Sequence, residues 1–161
     1  MKPLFIPVDR TEGAILEALQ RNARISNKEL ADLVGIAPST CLERVRRLRE
    51  RGVIRGFHAD IDPGLVGRPM QALIAVRLRV HNRESIDAFQ RHVTELADSL
   101  AVYHVGGADD YLVHVAVPDT AALRELVVED FTARPEVAHV ETRLIFELVR
   151  KHAIAPVGDS S

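Results

Sequence analysis

Apolar residues in the first third of the chain recur at the three- and four-residue spacing of amphipathic helices. Asp9 followed by Glu12 has the form of a capping box and predicts a first helix over residues 9–22. Ser26 followed by Glu29 repeats the box and predicts a second helix of about eight residues, which Gly35 ends. The stripe expected to be buried in this second helix is Leu30, Ala31, Leu33 and Val34.

A third helix is predicted over residues 38–51, because proline is favoured in the first turn of a helix and Pro38 stands at that position. Leu42, Val45 and Leu48 follow at a spacing of three and are expected to face inward. Only residues 35–37 separate the second helix from the third, which favours a steep crossing. The pattern predicts a helix-turn-helix.

The outward side of the third helix is then rich in arginine and hydroxyl groups. Its expected residues are Ser39, Thr40, Glu43, Arg44, Arg46, Arg47 and Arg51. In a helix-turn-helix the N-terminal part of this helix reads base edges in the major groove, while flanking cations bind phosphates. We predict that double-stranded DNA is contacted by Lys28, Ser39, Thr40, Arg44, Arg47 and Arg51, with Thr40 and Arg44 reading bases. A merely solvated charged face is the alternative.

The charge distribution supports two modules with different tasks. The net formal charge of the 161 residues is −2, but residues 1–56 hold 11 Lys and Arg against 7 Asp and Glu, and the remainder holds 10 against 16. A basic module that meets nucleic acid, followed by an acidic module, fits this split. We predict a DNA-binding domain over residues 1–61, ending in a short strand or wing over 53–61, and a linker over 62–70.

The acidic module, predicted over residues 71–149, alternates between the periods of strands and helices. Its predicted order is strand, helix, strand, strand, helix, strand. The apolar strand positions are Ile74, Val76, Leu78 and Val80; Val102 to Val105; Tyr111, Val113, Val115 and Val117; and Val140, Leu144, Phe146 and Leu148. The fold class is therefore α+β: a winged helix-turn-helix followed by a ferredoxin-like βαββαβ domain with both helices on one face of the sheet.

The second face of that sheet is expected to be apolar and to need a partner. Homodimerisation would cover it and would present two third helices to a pseudo-palindromic operator. Residues 150–161 are predicted to form a C-terminal tail. The single cysteine, Cys41, permits no disulfide within the chain, and no apolar run reaches the roughly 20 residues that a bilayer requires. We expect a cytoplasmic protein that has no membrane partner.

Two motifs carry a resemblance to a known family. GIAPSTCLERVRRL at residues 35–48, followed by Gly52-Val53-Ile54, resembles the helix-turn-helix signature of the Lrp/AsnC (leucine-responsive, feast/famine) transcriptional regulators. Gly107-Ala108-Asp109-Asp110-Tyr111 is similar to the Gly-x-x-Asp-Tyr turn of their effector domain. The two matches stand in the family's order and, with the intervening pattern, cover about residues 9–148.

The resemblance implies dimers that assemble further, commonly into octamers, and a small effector, usually an amino acid, bound between dimers beside the turn. The residues that it places at this site are Tyr103, Gly106, Gly107, Asp109 and Asp110. Glycine lets backbone N–H groups approach a carboxylate, and an aspartate can accept an α-ammonium group. The alternative is an ordinary hairpin turn with these residues present for conformation. No other cofactor is expected.

Two residues depart from the family's pattern. Ala37 stands where a serine cap is usual, so the third helix is expected to begin less firmly, at a cost of about 1 kcal/mol at most. Glu136 stands where glycine is common, in a loop that often belongs to the effector pocket. A carboxylate there is expected to disfavour acidic ligands or favour basic ones.

Other functions receive less support from the residues. His104 and His114, as cross-strand neighbours near Asp109 and Asp110, would suggest a metal site, but seven scattered histidines favour coincidence. Cys41 is expected to fill a gap in helix packing rather than to sense redox state. An enzyme using Asp109, Asp110 and His104 is the weaker class, since no nucleophile motif is present and no catalytic residue is assigned. A ligand-independent architectural DNA-binding protein is the other alternative.

Overall fold

A computed structural model describes residues 7–151 and 153–155. The chain divides into two compact units: a helical unit, made of residues up to Ala59 together with those from Val149 onward, and a sheet unit, Asp60–Leu148. The first segment of the helical unit ends at Ala59, two residues before the end predicted for the DNA-binding domain. The first six residues, His152 and residues 156–161, which include most of the predicted tail, lie outside the described residues.

Three helices form the helical unit: α1 (Arg10–Arg21), α2 (Asn27–Val34) and α3 (Pro38–Glu50). Both predicted capping boxes are present, on Asp9 with Glu12 and on Ser26 with Glu29. Gly35 ends α2 with a φ of 72°, a conformation that glycine adopts without strain. The buried residues of this unit's apolar core are Ile15, Ala18, Leu30, Ala31, Cys41 and Leu48.

The inward stripes predicted for α2 and α3 are wrong at one position each. Leu33 is 66% exposed and Leu42 is 61% exposed, whereas Cys41 is fully buried. The buried side of α3 follows the spacing four then three, through Cys41, Val45 and Leu48. Because each helical residue turns the side chain by about 100°, Cys41 lies in the core and its neighbour Leu42 faces solvent.

Residues 53–61 do not form the predicted strand within this chain. Val53 and Ile54 instead pack on the helical core, and the N–H groups of both donate to the Leu48 carbonyl, at 2.9 and 3.1 Å. These bonds fold the chain back against the end of α3, so the first residues of the segment are not extended. The described part of the helical unit also offers this segment no strand with which to pair.

The sheet unit has the predicted βαββαβ order. Its elements are β1 (Met70–Leu78), α4 (Arg83–Glu95), β2 (Ser99–His104), β3 (Tyr111–Val117), α5 (Thr120–Leu126), a π-helical turn (Val127–Thr132) and β4 (Val137–Leu144). A 3₁₀ turn (Gly64–Val66) precedes β1. The sheet is antiparallel in the order β2-β3-β1-β4, which confirms the ferredoxin-like topology.

One face of the sheet carries the core and both helices, as expected. Phe89 of α4 lies 4.9 Å from Tyr111 and 6.3 Å from Phe131 between ring centroids, and all three rings are buried. The predicted strands differ at their ends: β1 begins within the predicted linker, Val80 is 55% exposed beyond β1, and Phe146 is 97% exposed beyond β4. Leu148 likewise lies outside β4.

The second face is less apolar than predicted. Strand alternation and register bring Leu73 and Ala75 of β1 and Leu112 and Ala116 of β3 together with polar side chains of the same strands and of β4. His114 lies 2.9 Å from Gln71, and Arg143 bonds Glu141 at 3.0 Å on this face. This face therefore carries both apolar and polar side chains.

Candidate functional site

The N-terminal end of α3 is exposed and carries the two predicted hydroxyl contacts. Ser39 and Thr40 both face solvent in the first turn. Ala37 provides no side-chain cap, as expected from the sequence. The amide of Asn27 on α2 donates to the Pro38 carbonyl at 2.8 Å and so ties the start of α3 to the preceding helix. The predicted base-reading end of the helix is thus held by a neighbour rather than by its own cap.

Exposed cations on α3 and α2 accompany these hydroxyl groups. Arg47 and Arg46, each with 64% of the side chain exposed, both bond Glu43 within α3, at 2.9 and 2.7 Å. The two guanidinium groups, that of Arg46 first, lower the pKa of the Glu43 carboxyl. Lys28 on α2 is exposed. Arg49 is a further exposed cation of α3 that the predicted set omits, since the assignment followed only the other side of the helix.

Arg44 and Arg51 are placed differently from the other predicted DNA contacts. Arg44 Nη1 lies 2.5 Å from Asp9 Oδ2, and Arg51 Nη1 donates to Glu12 Oε1 at 2.9 Å. The pKa of Asp9 lies below its usual value, chiefly because its carboxylate accepts the Glu12 N–H and then because of Arg44. No local pattern indicates these pairs, whose members are 35 and 39 residues apart.

The glycine-rich turn between β2 and β3 joins the predicted effector residues. Gly107 has a φ of 126°, where a side chain would be strained, and a Cβ placed on Gly106 or Gly107 would meet nothing within 4 Å. Backbone groups at both positions therefore border open space. Tyr103, at the end of β2, is 51% exposed and lies on the sheet face opposite the helices, by its register with Leu112.

The two aspartates of the turn have different environments. Asp110 uses both carboxylate oxygens within the fold: Oδ2 accepts the Leu78 N–H at 2.7 Å, and Oδ1 lies 2.8 Å from His81 Nε2. Its backbone N–H donates to the Val76 carbonyl at 2.9 Å. Asp109 has a single long contact among the described side chains, 3.5 Å to Arg143 Nη2. Asp110 thus anchors the turn to the end of β1, and Asp109 is the aspartate that can accept further hydrogen bonds.

A shallow groove of about 410 Å³ lies on the opposite side of β2, against α4. Gln90, Thr94, Ser99 and His104 are among its polar residues. His104 stacks on Tyr111 with ring centroids 4.6 Å apart, so its ring belongs to the helix-covered face, away from Tyr103. Sequence reasoning did not find this groove, because its walls come from a helix and a strand edge that no local pattern brings together.

The metal and redox hypotheses find no geometry to support them. His104 of β2 pairs with Tyr111 of β3, whereas His114 lies three residues further along β3, so the two histidines lie on opposite sheet faces. Within the described residues no group of three or more His, Cys, Asp and Glu could hold a metal ion. Burial raises the pKa of the Cys41 thiol.

Among the described residues, no helix combines the length and apolar character needed to span a membrane.

Glu136 does not present a bare carboxylate. Arg134 donates to Glu136 Oε1 through both Nε and Nη2, at 2.9 and 2.6 Å, and the Glu136 side chain is only 9% exposed. This paired charge removes the basis for expecting the loop to select ligands by a net negative charge.

Known proteins match both units. Residues 8–55 match winged helix-turn-helix DNA-binding domains, and residues 71–154 match the Lrp/AsnC ligand binding domain. The HTH-type transcriptional regulator AldR of Mycolicibacterium smegmatis is 49% identical over 143 residues, which cover 89% of this chain and 84% of that protein. The leucine-responsive regulatory protein of Escherichia coli is 34% identical over 144 residues, 89% of this chain and 88% of its own.

Solved structures agree with this assignment. A transcriptional regulator from Neisseria meningitidis, solved in complex with L-Met, superposes with a TM-score of 0.83 at 27% identity, over 89% of this chain and 93% of that one. An AsnC family regulator from Agrobacterium tumefaciens gives a TM-score of 0.84 at 28% identity, over 93% and 97%. The chain therefore belongs to the Lrp/AsnC family and is a transcriptional regulator, not an enzyme, with a helix-turn-helix DNA-binding domain and a ligand-binding domain.

Proposed function

We propose that this regulator binds a pseudo-palindromic operator as a homo-oligomer and that an amino acid, bound beside the turn at residues 105–110, changes its operator affinity. The observation that carries the proposal is the open backbone at Gly106 and Gly107, next to Asp109, whose carboxylate is available because Asp110 anchors the turn. The L-Met complex of the Neisseria meningitidis relative supports an amino acid as the ligand class.

The chemistry of the turn suits a zwitterion. The N–H groups of two glycines without side chains can approach an α-carboxylate, and Asp109 can accept an α-ammonium group. Tyr103, half exposed on the adjacent strand, offers a ring for the ligand's side chain. Asp110 belongs to the site as the residue that holds the turn in place. With Glu136 neutralised by Arg134, we expect a neutral side chain on the effector.

Lys28, Ser39, Thr40 and Arg47 are the proposed DNA contacts, because all four are exposed on α2 and α3. Two copies of α3 would read half-sites about 34 to 36 Å apart, or a multiple of that distance. DNA binding also supports the predicted cytoplasmic localisation.

Apolar residues exposed in the sheet unit support assembly through this unit. Five of them flank the sheet, before β1 and after β4: Ile61, Leu65, Val66, Phe146 and Leu148. Exposed apolar area of this kind is usually buried by a partner. We propose a homodimer that assembles further, to an octamer, with the effector between dimers.

The proposal is tested by thermal unfolding in the presence of each of the twenty amino acids, followed by operator binding with any amino acid that stabilises the protein. A ligand at a hundred times its Kd stabilises the folded state by about 2.7 kcal/mol. Gly107→Leu should abolish the response and leave DNA binding intact. Gly67→Leu is the matched control, because Gly67 also has a positive φ, 84°, and open space around it, yet lies before β1.

The outcomes separate the remaining alternatives. If both glycine variants lose the response, strain rather than the site explains the loss. If Gly107→Leu keeps the response, the ligand binds elsewhere. A flat amino-acid panel combined with equal affinity for operator and random DNA would indicate the ligand-independent architectural protein, whose specificity ratio is near one.

A further inference from the structure

The capping box of α1 has bonds that reach beyond its own helix. Asp9 Oδ1 accepts the Glu12 N–H at 2.7 Å, and Glu12 Oε2 lies 3.3 Å from the Asp9 N–H, as in any such box. The other oxygen of each carboxylate is bound by an arginine: Arg44 of α3 at Asp9 Oδ2, 2.5 Å, and Arg51, the C-cap of α3, at Glu12 Oε1, 2.9 Å. Arg51 also donates to the Pro7 carbonyl at 2.6 Å.

Burial distinguishes these two arginines from the other cations of α3. The side chains of Arg44 and Arg51 are 31% and 32% exposed, against 64% for Arg47. Glu12 is 7% exposed, and a carboxylate so far from water is costly unless a cation pairs with it. Arg51 therefore stabilises the folded unit where it is, because leaving Glu12 would strand a buried charge.

Position along the helix explains how both arginines reach α1. Residues 44 and 51 are seven apart, two turns of the helix, so both lie on the same side of α3. Their ion pairs connect α1 to α3 at two points that are two turns apart along α3. Arg47 differs, because its partner Glu43 lies on its own helix and fixes nothing outside it.

We propose that Asp9 and Glu12 form a clamp on α3, and that Arg44 and Arg51 are positioning residues, which orient this helix for base reading and do not themselves contact DNA. Because the clamp holds Arg44 and Arg51, base contact is made by Thr40 and phosphate contact by Arg47, which are both exposed. The inference rests on the proposed DNA contact of Arg47, which the experiment examines separately.

The test measures Kd at several salt concentrations for an operator fragment, selected with the wild-type protein from random duplexes, and for a scrambled duplex of equal length. The variants are Arg44→Gln, Asp9→Asn, both together, and Arg47→Gln. Asparagine is as good an N-cap as aspartate, so Asp9→Asn removes the ion pair and keeps the cap. Glu17→Gln is the matched control for removing an acid from α1, since Glu17 is exposed and its ion pair, with Arg21, stays within the same helix.

Arg44→Gln and Asp9→Asn should each lower the ratio of operator to scrambled affinity by about fivefold, which corresponds to about 1 kcal/mol. The double variant should lose no more than either single one, because both remove the same pair. The salt slope should stay unchanged for Arg44→Gln. For Arg47→Gln it should fall by about 0.9 for each phosphate that is no longer neutralised. Melting temperatures confirm that each variant is folded.

Three results would overturn the clamp. If Arg44→Gln lowers the salt slope as Arg47→Gln does, Arg44 contacts phosphate. If Asp9→Asn raises the affinity ratio, Asp9 restrains Arg44 from contacting DNA. If Asp9→Asn leaves the ratio equal to that of Glu17→Gln, Asp9 plays no part in reading DNA. An unchanged slope for Arg47→Gln alone would refute the proposed phosphate contact and leave the clamp standing.

Discussion

Asp110 should contribute more to the stability of the fold than to the binding of a charged ligand. The hydrogen bonds of its carboxylate allow the cost of removing the side chain to be calculated. Oδ2 accepts the Leu78 N–H at 2.7 Å, and the side chain is 17% exposed. A hydrogen bond to a charged group contributes about 1.5 to 3 kcal/mol, and the second contact, to a His81 that is 61% exposed, adds less than about 1 kcal/mol. Asp110→Ala should therefore reduce the free energy of unfolding by about 2 kcal/mol.

Three further variants make this magnitude testable by urea denaturation at neutral pH. Asp110→Asn keeps an oxygen for the Leu78 N–H and should lose about half as much. His81→Ala and Asp109→Ala, which remove an exposed partner and a 3.5 Å contact, should each cost less than about 1 kcal/mol. The reasoning is refuted if Asp110→Ala costs no more than Asp109→Ala. Asp110→Ala is expected to lower the melting temperature by about 4 to 8 °C.

Three other predictions concern the helical unit. Leu42→Ala should change stability by less than about 0.5 kcal/mol and Leu48→Ala should lower it by about 2 to 5 kcal/mol, since only Leu48 is buried; equal losses in thermal unfolding would contradict this. Cys41 should react with a thiol reagent at pH 8 only after unfolding in urea, and fast labelling of the native protein would exclude the buried thiol. Because the pKa of Asp9 is lowered from 3.8, its contribution is complete above that pH and disappears as pH falls through the lowered pKa, so Asp9→Asn should flatten the acid limb of a stability profile.

Local patterns were sufficient for the elements of this fold. Capping boxes and Gly35 mark helix ends by bonds between residues three or four apart, and Pro38 marks a helix start because its ring fixes φ and it has no N–H to leave unpaired. Tyr111–Val117 alternates so regularly that its bounds match the prediction. The inward orientation predicted for Leu42 is wrong. Apolar spacings of three and of four both fit a helix, and only tertiary packing decides whether Cys41 or Leu42 is buried.

Strand ends were less predictable than strand centres. Phe146 and Leu148 continue the alternation of β4, yet β4 pairs with β1 only as far as Leu144. The Ile145 N–H still donates to the Gln71 carbonyl at 2.9 Å, and the chain then bends at Phe146 although β1 extends to Met70, so local alternation alone does not set the end of the strand. Residues 53–61 illustrate the same limit, since their alternation predicted a strand for which the described part of the helical unit supplies no neighbour.

The candidate sites show why a local pattern does not fix the role of a charged side chain. The sequence predicted an arginine for DNA and an aspartate for a ligand, but in the fold Arg44 is paired with Asp9 and Asp110 with the end of β1. These partners lie 35 and 32 residues away, and no periodicity links them. In both cases a charged side chain that the sequence suggested was available to DNA or to a ligand is already bonded to another residue of the fold. The proposed function therefore gives these roles to Arg47, whose ion pair is exposed, and to Asp109, whose ion pair is long.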